Sequence, residues 1–155
     1  MKLEILKILE SISLNSEIRE VLEEILNNPS DPCSADDNGR HIKFELLDVE
    51  YKHNKHPDTF YIPTHEEKDL IVHGMWVKII ADWMNYEDPD ERFWVVITEE
   101  FVDEKGERCF YGVSLNDTQI LKYGTKLGPI RLRNICHIDF EEFEQRNSTL
   151  TNVYC

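Results

Sequence analysis

Two apolar runs with a period of two constrain this chain more than any other feature. In MWVKIIADW (75–83), Met75, Val77, Ile79, Ala81 and Trp83 share one parity, and Trp76, Lys78, Ile80 and Asp82 the other. In RFWVVITEEF (92–101), Phe93, Val95 and Ile97 oppose Trp94, Val96 and Thr98. Alternation of this kind places side chains on opposite faces of a strand and does not fit a helical stripe. Both runs are apolar on both faces. They are therefore expected as central strands, or as strands covered on the outer side by N-terminal helices. DEKGE (103–107) supplies a hairpin-type turn in which Gly106 is free to take positive φ.

The same reading extends in both directions. RCFYGVSL (108–115) continues as a strand, KYGTKLGPIRL (122–132) is a turn leading into another, and NICHIDF (134–140) begins one more strand or a short helix. Upstream, Ile42, Phe44 and Leu46 alternate, and Leu47, Val49 and Tyr51 take the opposite parity, as at a bulge or a change of ladder. HNKHPDTFYIP (53–63) is expected as an extended loop, because residues before Pro57 and Pro63 are biased away from helix. Thr64 and Glu67 have capping-box spacing, which predicts one helical turn in THEEKDLI.

At the N-terminus, Leu3, Leu6, Leu9 and Ile12 recur at helical spacing, and Leu14, Ile18, Val21, Leu22 and Ile25 form a second stripe. The expected organisation is a helical hairpin over 1–28, a mobile linker over 29–40, a β-rich domain over 41–145 and a tail over 146–155. The linker is inferred from the Pro, Asn, Asp, Ser and Gly of NNPSDPCSADDNGR. The fold class is α+β: an N-terminal helical hairpin followed by a small antiparallel sheet or partly open β-barrel. The helical stripes must cover the main domain or another chain, which allows a homo-oligomer through residues 3 to 26.

Charge narrows the partners. The 155 residues carry 17 Lys and Arg against 31 Asp and Glu, a net −14. Such a chain lacks the clustered cations that phosphate-backbone binding needs, so no nucleic acid is expected. Anionic membrane surfaces would repel it, and no apolar run approaches the roughly 20 residues of a spanning helix. Glu4, Lys7 and Glu10 interrupt the apolar start, where a secretory signal needs an unbroken centre of about 7 to 15 residues. A cytoplasmic protein with reduced thiols at Cys33, Cys109, Cys136 and Cys155 is expected, and no Cys-x-x-Cys is present. An acidic surface favours solubility and rapid association with a basic partner.

Candidate chemistry is sparse. His53, His56, Asp58 and His65 suggest a metal site, but His-x-x-His in a loop lacks the i, i+4 register of helical ligands, so no metal is expected. Cys136 and His137 are adjacent, which on a regular strand sends their side chains to opposite faces. Cys109 reads as a small buried residue. The pairs Glu66–Glu67, Glu99–Glu100 and Glu141–Glu142 read as solvated faces, with nothing to drive their pKa values apart. The glycines form neither GxGxxG nor GxxxxGK[ST], so no phosphate cofactor is implied. Trp76, Trp94, Phe110 and Tyr111 fall on neighbouring strands and could form a ligand platform, but core and cross-strand pairs are the expectation, because Trp94 lies within a run of Phe and Val.

ERFWVVITEE, FYGVSLND, LKYGTKL and ICHID, in that order, resemble a family of small, uncharacterised bacterial β-rich domains. Its pattern is E-(R/x)-(F/M)-W-V-x-(V/I)-T, then G-x-(L/V)-x-N, then L-K-x-G-(D/T), then a hydrophobic-Ile-Asp end. The resemblance covers about residues 56 to 140. It departs where Thr125 follows Gly124 in place of Asp and where the strand at 130 to 133 is unusually basic. It implies a compact bacterial or phage β domain with no established reaction, and similar domains near toxin systems imply immunity-type binding. The leading expectation is a non-catalytic acidic protein-binding module, of immunity or inhibitor type, acting on a basic partner surface. Its expected partner-binding residues are Trp76, Trp94, Asn116, Asp117 and Tyr123. The alternative is a small-ligand-binding or hydrolytic domain using the strand-end loop at Asn116–Asp117, with Tyr123 and His137.

Overall fold

The structure is a computed structural model that describes residues 30–37, 40–84 and 90–154. Strands β1 (Ser30–Asp37), β2 (Arg40–Leu47), β3 (Trp76–Asp82), β4 (Asp90–Val102), β5 (Arg108–Ser114) and β6 (Lys126–Arg131) follow one another as antiparallel neighbours. β6 returns to β1 through Ser34↔Gly128, Ala35↔Leu127 and Asp36↔Lys126, which closes a six-stranded barrel. A 3-10 turn (Leu132–Asn134) leads into β7 (Ile135–Asp139), which pairs with Trp76–Ile79 of β3, while β2 meets β3 further along at Ala81 and Asp82. Helix α1 (Val49–Lys55), helix α2 (His65–Asp69) and helix α3 (Phe140–Tyr154) lie outside the barrel sequence of strands.

This architecture corrects the α+β expectation. The barrel is closed rather than partly open, and its first strand comes from the segment expected to be a linker. The predicted N-terminal helical hairpin lies outside the described residues. In β1, Asp31, Cys33 and Ala35 are buried and alternate with exposed Pro32, Ser34 and Asp36, so SDPCSADD carries a strand period beneath its loop-like composition. At the other end, part of the expected tail belongs to α3.

The period-two runs take the faces that their parity predicts. Val77, Ile79, Phe93, Val95, Ile97 and Phe110 fill the interior, each at most 2% exposed. Burying one such side chain contributes about 1.5–3 kcal/mol. Trp83 stacks on Phe93 (centroids 5.9 Å apart), tilts against Phe44 (4.9 Å) and donates its indole N–H to Glu91 Oε1 at 3.0 Å. Its polar atom is thereby satisfied. Register shifts at Ile97/Glu99, Phe110/Gly112 and Lys78/Ile79 bend the strands where the barrel must curve.

The outer side of β3 is covered locally. Ile80 and Cys136 pack with Leu47 and Val49, and with Phe60 and Ile62 from the segment after α1. Residues 49–55, where the alternation of Leu47, Val49 and Tyr51 and the loop from His53 predict a strand end and a loop, form the helix α1 instead. Asp48 accepts from the Tyr51 N–H at 3.0 Å, Glu50 lies in the first turn, and Lys52, His53 and Lys55 occupy the last. Capping and dipole complementarity therefore outweigh the apparent alternation. The expected turn at 64–67 forms α2 with a complete capping box.

One end of the barrel is tied by charge. Arg133 holds Asp31 through Nε (2.9 Å) and Nη2 (2.5 Å), and Asn134 Nδ2 donates to the same carboxylate (2.8 Å) and to the Leu47 carbonyl (3.2 Å). Arg131 Nη1 donates to Asp103 Oδ2 at 2.6 Å, and Glu107 pairs with Arg133. Backbone N–H groups of Glu107 and Lys105 also donate to Asp103. With the Glu107 bond foremost, these donors hold the Asp103 carboxyl below its ordinary range, and the Arg108 hydrogen bond does the same for Glu100. A carboxyl lowered on folding contributes stability fully above its unfolded pKa, about 4, and loses it as pH falls through the lower folded value. The melting temperature should thus drop as pH is taken below about 4, and Asp103→Asn should flatten part of that decline. An identical acid limb in the variant would remove Asp103 from the account.

Among the described residues, no helix is long and apolar enough to cross a membrane.

Candidate functional site

With Phe93, Val95 and Ile97 committed to the interior, strand alternation turns Trp94 and Val96 to the outer wall. The β3–β4 register sets Lys78 opposite Trp94 and Trp76 opposite Val96. On the other side of β3, His137 of β7 lies opposite Lys78 and Asp139 opposite Trp76. The result is one cross-strand row, His137–Lys78–Trp94. Lys78 Nζ is 4.8 Å from the Trp94 ring centroid, and the His137 ring meets Trp94 edge-on at 5.5 Å and 75°. A cation on a half-buried indole contributes about 0.5–1 kcal/mol or somewhat more and keeps the ring face oriented.

The row has a neighbour at each end. Arg92 is exposed, with its guanidinium 5.6 Å from the Phe60 ring. Trp76 lies under the Arg146 guanidinium of α3 at 5.9 Å, and Arg146 also donates to the Gly74 carbonyl and pairs with Glu142. Among the described residues, Lys78 and Arg92 have ring contacts and no ion pair. This wall is thus a half-exposed aromatic strip flanked by cations, on a chain whose net charge is −14.

The remaining expected site residues lie in the loop after β5, with different roles. Asn116 Oδ1 accepts from the Trp94 backbone N–H at 2.7 Å, and Ser114 Oγ donates to the Asn116 carbonyl at 2.8 Å. Asn116 therefore fastens the loop to the strand that carries Trp94. Asp117 Oδ1 accepts from the Tyr123 N–H at 2.9 Å, closing the loop on itself, and the Tyr123 side chain is exposed. The structure joins Trp76 and Trp94 on one wall, with Asn116 behind it. Asp117 and Tyr123 build the adjoining loop.

Among the described residues, the cysteines offer no ready nucleophile. Burial pushes the Cys33 thiol up to about 12 and raises Cys109 and Cys136 as well, while nucleophilic attack requires the thiolate. Cys136 is buried and donates to the Lys78 carbonyl at 3.3 Å, whereas His137 is exposed beside Trp94. The bulge at this point of the β3–β7 ladder complicates the simple alternation expected for the pair.

The histidines gather in part. His53 and His65 line a cavity of about 430 Å³ between α1 and α2, with Glu50, Asn54, Glu66 and Lys68. No group of three metal-ligating side chains converges among the described residues.

Sequence reasoning missed Lys78 and Arg92. Lys78 shares its parity with Trp76 in MWVKIIADW, so a cation on the outer face was readable. Its seat between Trp94 and His137 depends on two registers that no local pattern encodes. Comparison with family models, curated proteins and solved structures finds no match to this chain.

Proposed function

We propose that this protein is a non-catalytic cytoplasmic binding module, of immunity or inhibitor type, that engages a protein partner through the outer wall around Trp94. The observation that carries this reading is the His137–Lys78–Trp94 row, in which a large aromatic side chain is held half-exposed rather than packed in the core. Tryptophan and arginine are enriched among residues that dominate interface energetics. Further support comes from the loop oxygens of Asn116 and Asp117, which are engaged in building the turn.

Charge acts at two ranges. Over the Debye length of about 8–10 Å, the net −14 favours approach by a partner with a basic surface. In contact, Lys78 and Arg92 ask that partner for an acceptor, a carboxylate or a carbonyl, beside the group that covers Trp94. The cross-strand role of Trp94 is worth at most about 1 kcal/mol to the fold, so the variant should remain folded.

The test is a binding titration with a partner captured by the wild-type chain and identified by mass spectrometry. Trp94→Ala should weaken the complex by more than about tenfold, roughly 1.4 kcal/mol, with the melting temperature little changed. Tyr61→Ala, at an exposed position in the segment between α1 and α2, should bind as the wild type does. Equal affinity of Trp94→Ala and wild type would sink the proposal, as would failure to capture any partner at low salt.

A further inference from the structure

The cavity between α1 and α2 contains a group that the fold leaves incompletely served. Lys68 is 2% exposed, and its ammonium reaches Glu50 Oε1 at 2.8 Å. An ammonium has three N–H donors. Among the described residues, Glu50 is the acceptor that Lys68 Nζ has. Buried donors are almost always satisfied, and a charged donor is the costliest to leave unpaired. Two hydrogens of Lys68 therefore call for acceptors from whatever occupies the cavity.

The other walls restrict what that occupant is. His53 Nδ1 lies 2.6 Å from the Phe60 carbonyl, which only accepts, so Nδ1 carries the proton and a neutral ring keeps Nε2 as an acceptor. Asn54 brings an amide with donors and an acceptor, while Glu66 and the second oxygen of Glu50 bring acceptors. Lys68 and Glu50 cancel in charge, and Glu66 adds one negative charge. An anion would face two carboxylates, and a cation would face the buried ammonium. Ile62 and Pro63 give the cavity one apolar wall. Mixed donors and acceptors, near-neutral charge and an apolar wall together match a molecule whose hydroxyls donate and accept and whose C–H face is apolar. The volume of about 430 Å³ lies within the usual range for small-molecule sites.

We infer that the α1–α2 cavity is a binding site for a neutral polyhydroxylated small molecule of monosaccharide size, with Lys68 as its central donor. This site is separate from the outer wall around Trp94, and it stands or falls independently of the protein-binding proposal.

The test is a titration of the isotopically labelled full chain with D-glucose, D-mannose and myo-inositol, followed by amide chemical shifts. At least one of the three should give saturable shifts in residues 50–54 and 62–68 and leave Trp94 and His137 unmoved. Lys68→Met, which keeps an unbranched stem one heavy atom shorter and removes the donors, should weaken that binding by about tenfold or more. Asn54→Ala, at an exposed position, keeps the test decisive if Lys68→Met fails to fold, and should weaken binding severalfold. The inference is overturned if none of the three polyols gives saturable shifts. It is also overturned if acetate or phosphate titrates the same residues more tightly, or if binding survives Asn54→Ala and a folded Lys68→Met unchanged.

Discussion

Gly112→Ala is expected to destabilise the protein by about 3 kcal/mol or more, enough to remove much of the stability of a domain this size. A Cβ at this position would stand 2.3 Å from Val95 Cγ1 and 2.7 Å from the Val96 carbonyl oxygen. The valine methyl could turn away, but the carbonyl belongs to the β4 backbone. Gly112 is paired to β4 at Ile97 and to β6 at Leu127, at the irregular step of the β5–β6 ladder. Ladders on both sides therefore resist the shift that would relieve the contact. Gly106→Ala is the comparison, because its Cβ would meet open space and only its φ of +80° is unfavourable. That variant should lose about 1–2 kcal/mol. Urea unfolding of both proteins measures the difference, and a Gly112→Ala midpoint as high as that of Gly106→Ala would contradict this view of the barrel wall.

Removing the buried Asp31 carboxylate should cost about 1.5–3 kcal/mol, the range for hydrogen bonds to a charged group, because Arg133 keeps Glu107 as a partner. Asp31→Ala would strip Arg133 of a two-pronged partner and leave Nδ2 of the fully buried Asn134 with only the Leu47 carbonyl, while its Oδ1 keeps the Arg131 N–H. It would also free β1 from the segment that follows β6. Asp31→Asn keeps one oxygen acceptor and the side-chain shape, so it should fall between the wild type and Asp31→Ala. A double-mutant cycle with Arg133→Met isolates the pair, and its coupling should exceed about 1 kcal/mol. Additive losses would mean that the carboxylate serves packing rather than Arg133.

These two sites also show where sequence reading reaches its limit. The strands at 75–83 and 92–97 were legible because alternation is local and strong, as was the capping box at Thr64 and Glu67. SDPCSADD was not. Its composition favours turns, and what makes it a strand is pairing to β2 and β6 together with the Arg133 and Asn134 contacts a hundred residues away. VEYKHNK misled in the opposite way, since Val49 and Tyr51 imitate a strand while Asp48 supplies the cap that decides for helix. At the candidate site, the tryptophans were visible as residue types. Their outward setting was not, since Trp94 in its run of Phe and Val reads as a core residue whereas it is half-buried on the outer wall, and the flanking Lys78 and His137 depend on the pairing of three strands. Lys68 was hidden altogether, because a lysine in an acidic, polar stretch gives no sign that it will be buried.

Barrel closure has a consequence for the order of synthesis. β1 leaves the ribosome before the other strands of the barrel, yet one of its two edges is completed only by Lys126–Gly128, about ninety residues later. At roughly 5–20 residues per second, the strand waits on the order of 5–20 s for that partner. During this interval β1 and β2 can form a hairpin, but the second edge of β1 stays open to other chains. The polar residues of SDPCSADD suit such a wait, since a charged, proline-containing edge is a poor template for intermolecular pairing.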